Sequence, residues 1–249
     1  MINLSKKLMR IVGQTNAKYS MFEEGDKILL GLSGGKDSLV LAHLLNHFQK
    51  VSPNNWTFKA VTLGYGVGED FSFLINHCKE HNIPHDIINS NIFEISKEKM
   101  RKNTSICSFC SRMRRGYLYT YALENGFNKL ALGHHFDDAA ESFFMNFTHN
   151  GSLRTLPPKY TAENGLKVIR PLILVRERQL IDCAKNNELT VSTDEDFCPA
   201  TKGVDIKMPT ARAQTKKLLH SLEEQNPKLF ISLKSSFENI HKDTFFNIE

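Results

Sequence analysis

The chain of 249 residues lacks several features that would each define a class. Its opening stretch, MINLSKKLMR, has no apolar run of the kind a secretory signal needs. No segment approaches the roughly 20 consecutive apolar residues of a membrane helix. No membrane partner is expected, and the expected compartment is the cytoplasm. Cysteine is sparse: Cys78, Cys107, Cys110, Cys183 and Cys198 are the five. In a reducing compartment they are core thiols, metal ligands or redox groups rather than a disulfide framework. Internal repeats and low-complexity tracts are absent. So is a Walker A loop, because the glycine it needs six residues before Lys36 is Leu30, and Lys36 is followed by Asp37 rather than a hydroxyl residue. The G-x-G-x-x-G dinucleotide fingerprint is missing as well.

What is present is an ordinary globular composition, 41% hydrophobic and 24% charged, enough to bury a core without staples. The net charge of +5 is a mild basic excess, compatible with a nucleic-acid partner but not diagnostic of one. Short apolar runs alternate with helix-period segments. KILLGL (27–32), TFKAVTLGY (57–65), HDIINS (85–90), NKLALGH (128–134) and LKVIRPLILV (166–175) read as strands. DSLVLAHLLNHFQ (37–49), FSFLINHCKEHN (71–82), SRMRRGYLYTYALENG (111–126), DDAAESFFMNFTHNG (137–151) and RERQLIDCAKNNE (176–188) read as helices. The pattern breaks into a loop around Cys107, is irregular over 190–208, and resumes as helices near 209–225 and 227–241. This alternation predicts an α/β fold, a doubly wound and mostly parallel sheet with C-terminal helices. The expected division is a domain over 1–190 and a segment over 191–249 with the last cysteine and the final helices.

In such sheets ligands sit beyond the carboxyl ends of the strands. Two polar clusters fall there, SGGKDS (33–38) after the first strand and GHHFDD (133–138) after the fourth. In the first, Gly34 and Gly35 allow close backbone approach, and the helix start aims amides at an anion. Ser33 and Ser38 add hydroxyls, Lys36 adds charge, and Asp37 opens the helix. GHHFDD alone reads as a helix capped by Asp137 with surface histidines. Beside SGGKDS it reads as the other wall of one site.

ICSFCSRMRRGYLY (106–119) holds a C-x-x-C pair followed by Arg112, Arg114 and Arg115. Two thiols at this spacing bind a metal or cluster, or form a redox disulfide. A third sulfur is available at Cys198, beside a proline and outside any helical pattern, whereas Cys78 and Cys183 fall inside helices and read as buried. Three thiolates suit a [4Fe–4S] cluster with one free iron. On the helix Arg112 and Arg115 share a face suited to phosphate. A second basic set, Lys202, Lys207, Arg212, Lys216 and Lys217, flanks the last helices.

SGGKDS resembles, residue for residue, the signature of the PP-loop ATP pyrophosphatases. That superfamily has an adenine nucleotide alpha-hydrolase-like, Rossmann-like fold and holds the pyrophosphate of ATP while an acceptor oxygen is adenylated. Together with CSFCSRMRRGYLY, LGHHFDDAAES, VIRPL and FCPA, in order and spacing, it resembles the tRNA 2-thiocytidine synthetase family over residues 20–241 or so. The resemblance implies ATP-dependent thiolation of an anticodon-loop cytidine, position 32. It implies a cluster on Cys107, Cys110 and Cys198, ATP on Ser33, Gly34, Gly35, Lys36, Asp37 and Ser38, and Gly133, His134 and Asp137 lining the nucleotide. Lys36, Asp37 and Asp138 are the implied catalytic residues, with Mg²⁺ on an aspartate of the GHHFDD turn, Asp137 or Asp138. The implied partners are tRNA and a sulfur donor such as a cysteine desulfurase or sulfide, with a homodimer as one allowed assembly. The chain departs from the family at Phe136, where arginine is frequent, and in TLGYGVGED (62–70), which lacks a Leu-Asp pair. Alternatives from the residues are a thiouridine synthase, a lysidine-type ligase, and a non-catalytic iron–sulfur or nucleic-acid-binding module.

Overall fold

The computed structural model describes residues 2–99, 106–192, 210–244 and 246. The chain forms two units: Met1–Asp137 with Pro157–Met208, and Asp138–Leu156 with Pro209–Glu249. The first unit is built on a six-stranded sheet in the order β3-β2-β1-β4-β6-β5. The strands are β1 (Lys27–Gly31), β2 (Thr57–Gly64), β3 (His85–Asn89), β4 (Lys129–Ala131), β5 (Lys159–Thr161) and β6 (Lys167–Ile169). All neighbours pair in parallel except β5, which is antiparallel to β6.

Every strand that is paired on both sides must hide both faces, and β1 shows how. Ile28 and Leu30 enter one apolar cluster and Leu29 the other. The first face is covered by α1 (Lys6–Tyr19), α2 (Lys36–Val51), α3 (Ser72–Glu80) and α7 (Glu177–Asn186), through Leu8, Leu41, Leu74 and Leu180. The second face is covered by α4 (Ile92–Lys99) and α5 (Ile106–Glu124), through Ile92, Leu118 and Ala122. The chain runs β1 to β3 in one direction and then returns to place β4 on the other side of β1. That reversal opens a crevice at the carboxyl ends of β1 and β4.

Three details differ from the sequence reading. The C-x-x-C pair lies inside α5, which starts at Ile106, rather than in a loop before it. The expected strand over 166–175 is only Lys167–Ile169, because Pro171 cannot continue the ladder and residues 171–175 form turns. It is preceded by β5, joined through a turn at Gly165, whose φ is +87°. Helices α1 and α4 were not anticipated. Ser5 caps α1, its hydroxyl accepting from the Leu8 amide at 3.2 Å, and Leu8, Val12 and Thr15 form its buried stripe.

The second unit contains α6 (Phe136–His149) from Asp138 onward, α8 (Thr210–Gln225) and α9 (Leu229–Glu238). Phe143 of α6 packs on Phe237 of α9 with ring centroids 5.2 Å apart, and Leu219 and Phe230 are buried. Among the described residues no helix is long and apolar enough to cross a membrane.

Candidate active site

The loop after β1 is organised by its own hydroxyls. The Ser38 hydroxyl accepts from the Ser33 amide at 3.1 Å and donates to the Gly35 carbonyl at 2.9 Å. Ser33 Oγ lies 3.1 Å from Ser38 Oγ. Gly34 has φ +83°, a conformation that disfavours any side chain, and an added Cβ there would strike Ser192. Ser192 braces the loop, its amide donating to the Gly34 carbonyl at 3.0 Å. Gly35 is the N-cap of α2 and contributes no side chain, so the first-turn amides point into the crevice. At the positive end of a 16-residue helix, this arrangement is of the kind that can seat an anion.

Lys36, the first residue of α2, donates to Glu177 Oε1 at 3.0 Å and reaches Asp37 Oδ2 at 3.4 Å. Burial opposes its charge, but Asp37 and Glu177 outweigh that, and its pKa is raised. The wall opposite the loop is the turn after β4. A Cβ at Gly133 would lie 3.2 Å from the Ser38 amide nitrogen and 3.3 Å from the Asp37 carbonyl carbon. The two motifs therefore meet backbone to backbone, as the shared sheet edge implied.

Around this contact acidic and basic side chains alternate. Buried His135 stands between two carboxylates, Nε2 at 3.9 Å from Asp37 and Nδ1 at 3.8 Å from Asp137. Asp137 accepts from Arg176 Nε at 3.1 and 3.2 Å and from the Glu177 amide at 2.7 Å, which fixes the start of α7. His134 Nδ1 accepts from Arg170 Nε at 3.4 Å, and buried Arg170 also donates to the Pro157 carbonyl at 2.6 Å. Burial lowers the Arg170 pKa, although Tyr160 beside it works the other way. Phe136, where the resembled family often has arginine, is buried, and its amide donates to the Val175 carbonyl at 2.8 Å.

Asp138 belongs to the second unit. Its Oδ1 accepts from Arg212 at 2.5 Å, and Glu141 accepts from the same guanidinium at 2.7 Å. Burial lowers the Arg212 pKa, but the two carboxylates more than offset it and the net shift is upward. Arg212 is thus held within that unit, while Lys216 and Lys217 are exposed.

For the cysteines, Cys107 and Cys110 both fall within α5, three residues apart. Cys110 is buried against Leu63, near the carboxyl end of β2, and Ile92. It therefore lies at the sheet edge that carries the phosphate loop. Its sulfur is of the soft kind that suits an iron–sulfur ligand. Cys198, Lys202 and Lys207 lie outside the described residues. Cys78 and Cys183 are buried, and burial pushes the Cys78 thiol up to about 11, so neither is poised to react. Arg112 and Arg115 are exposed on α5, and Arg115 borders an open cleft of about 440 Å³ with Tyr119 and Tyr160.

Sequence reasoning missed His135, Arg170, Arg176, Glu177 and Ser192. Local signals existed for two of them: His135 lies inside GHHFDD, and the arginine of VIRPL stands in an otherwise apolar run.

Comparison with known proteins agrees with this arrangement. A PP-loop domain family matches residues 3–197. The chain is 38% identical over 237 residues to the tRNA-cytidine(32) 2-sulfurtransferase of Geobacter metallireducens, covering 94% of this chain and 90% of that protein. It is 35% identical over 246 residues to the protein of the same name from Geobacter sulfurreducens, covering 98% and 93%. Among solved structures it resembles the U34-tRNA thiolase NcsA from Methanococcus maripaludis with its [4Fe–4S] cluster. The TM-score is 0.75 at 25% identity, covering 95% of this chain and 80% of that one. With a phosphate loop that is not a Walker loop, a facing Gly-His-His turn and relatives matched along nearly their whole length, the chain belongs to the PP-loop domain family and, within it, to the tRNA-cytidine(32) 2-sulfurtransferases.

Proposed function

We propose that this chain catalyses ATP-dependent thiolation of tRNA, replacing O2 of an anticodon-loop cytidine with sulfur. The observation that carries the reading is the backbone contact of Gly133 with the first turn of α2, with Cys110 at the same end of the sheet. It supports reading a nucleotide grip and a cluster ligand at one edge.

Cytidine O2 is a poor leaving group. In the first step O2 bonds to the α-phosphorus of ATP and the bond to the bridging oxygen breaks, releasing pyrophosphate. The amides of residues 34–38 and Lys36 stabilise charge on that product. In the second step a sulfide-level nucleophile attacks C2, the C2–O2 bond breaks, AMP leaves with the oxygen, and the sulfur gives up its proton. No electrons are gained or lost. Lys36 must exchange Glu177 for phosphate oxygen, so nucleotide entry displaces an ion pair at the start of α7. Asp37, released as Lys36 turns to phosphate, would hold Mg²⁺, while Asp137 is tied to Arg176 and Asp138 to Arg212. We assign Asp137 and Asp138 positioning roles.

Cys107, Cys110 and Cys198 would hold a [4Fe–4S] cluster, which when bound offers an iron without a protein ligand as a seat for sulfur. Arg112 and Arg115 supply phosphate forks for the RNA backbone, and the target base must be unstacked to be reached. The sulfur donor is free sulfide, or a cysteine desulfurase whose persulfide sulfur is first reduced to sulfide by two electrons from a thiol reductant; the setting is the cytoplasm, and a homodimer is an allowed assembly.

The test is mass spectrometry of tRNA nucleosides from a deletion strain. Loss of 2-thiocytidine, restored by the wild-type gene but not by Lys36→Ala, is the expected result. Loss of a thiouridine with 2-thiocytidine intact would move the enzyme to the uridine branch that the NcsA likeness represents.

A further inference from the structure

On the face of the sheet carrying α2 and α3, three histidines converge away from the phosphate loop. His43 comes from the second turn of α2, His77 from α3, and His81 from the C-cap of α3. One ring nitrogen from each lies within 4.8 Å of the other two. His43 Nε2 is 2.8 Å from His77 Nε2, and the ring centroids are 4.6 to 5.0 Å apart. Neither the thiolation chemistry nor the apolar core accounts for this group.

His43 is 1% exposed, while His77 and His81 are half-buried and open the cluster to solvent. Among the described residues His43 Nδ1 meets no hydrogen-bond partner, so the ring directs its bonding through Nε2 into the cluster. The mount is rigid. His77 and His81 are four residues apart, and the His81 carbonyl accepts from Asn46 at 3.0 Å, one turn along α2 from His43.

We propose that His43, His77 and His81 form a binding site for one divalent transition-metal ion, zinc in the first instance, that ties α2 to α3. Imidazole is the ligand type that suits zinc, and three histidines with one open position is a recurring zinc set. Ligands about 2.0–2.1 Å from a tetrahedral ion stand roughly 3.3–3.4 Å from one another. One pair stands at 2.8 Å and all three nitrogens lie within 4.8 Å of one another, a range that includes that value. Burial, and then the neighbouring rings, hold the His43 pKa down to about 3, and His77 is lowered in the same way. His43 and His77 therefore keep lone pairs to offer. A solvent water takes the fourth position, reached past His77 and His81. The ion acts as a clamp on the helix whose first turn is the phosphate seat.

The test uses the full chain in three forms: wild type with its cluster, a Cys107→Ser/Cys110→Ser/Cys198→Ser variant, and His77→Gln or His81→Gln. These two histidines are chosen because His43→Gln in the core would confound binding with folding. Zn²⁺ is added, removed by dialysis and counted by atomic emission, and Co²⁺ is titrated as a spectroscopic stand-in. One zinc per chain in the wild type and in the cysteine variant is the expected result. Cobalt in the cysteine variant should give tetrahedral bands without thiolate charge transfer. Either histidine variant should bind more than about 100-fold more weakly, beyond the 10–100-fold cost of losing an outer-shell partner. Zinc should raise the melting temperature of the wild type and leave His81→Gln unmoved. Loss of zinc from the cysteine variant, or equal retention by His81→Gln, would overturn the proposal. Because the readout is metal content, it stands or falls apart from the thiolation reading.

Discussion

The two ends of β1 and β4 are built from the same kinds of charged residue and used in opposite ways. At the amino end Lys129 is completely buried, yet every proton of its ammonium has an acceptor. Nζ lies 2.6 Å from Asp26 and 2.8 Å from Glu23, and it donates to the Met21 carbonyl at 3.1 Å. At the carboxyl end Lys36 is partly open, and its two carboxylate partners are ones that a phosphate can replace. A charge that is enclosed and fully partnered locks a structure, and removing one partner leaves the rest stranded. A charge at a crevice mouth, beside the start of a helix, is available for work.

The sharpest way to break the contrast is Lys129→Met. It strands the buried Asp26 carboxylate and should cost about 3–5 kcal/mol of unfolding free energy in urea titrations. The folded fraction should still bind ATP with wild-type affinity. Lys36→Met is the mirror experiment. Thiolation turnover should fall about 10²–10³-fold, while stability stays within roughly 1 kcal/mol, since that pair is only partly buried. If Lys36→Met unfolded the protein instead, the distinction between the two ends would be lost.

Asp137→Ala lies between these extremes. It removes the acceptor from the first amide of α7 and should cost about 0.5–2 kcal/mol, with a weaker ATP affinity as Arg176 is released. The smallest effect is in pH. The hydrogen bond from Lys129, and then its charge, hold Glu23 below its usual 4.5. That contribution is complete above pH 4.5 and fades as pH falls through the lowered value. Lys36 is raised above 10.5, so its contribution is complete below pH 10.5 and fades as pH rises through the raised value. Melting curves should show Lys129→Met losing part of the acid limb and Lys36→Met part of the alkaline limb.

Much of this was legible from local residues. Gly34, Gly35 and Ser38 mark the loop because a tight strand-to-helix turn demands small residues and hydroxyls in a short window. The apolar runs of β1 and β2 announce strands buried on both sides. The start of α5 was hidden because Cys-Ser-Phe-Cys-Ser is a poor helix former, overridden by Cys110 packing on Leu63 and Ile92. Helix α1 was missed because its stripe includes Thr15, a polar residue whose hydroxyl bonds the Ile11 carbonyl at 2.8 Å. Arg176 and Glu177 looked like surface charges. Their partners, Asp137 and Lys36, lie 39 and 141 positions away, beyond any window that periodicity can read.

That last separation has a temporal consequence. The phosphate seat begins at Ser33, but its opposite wall waits for Gly133 and its lysine for Glu177. Contacts of such span are slow to close, because the intervening loop entropy is lost before they form. During synthesis the loop must leave the ribosome long before anything exists for it to face. The capacity to grip nucleotide therefore ripens after most of the secondary structure, and a chain stopped short of α7 carries the motif without the function.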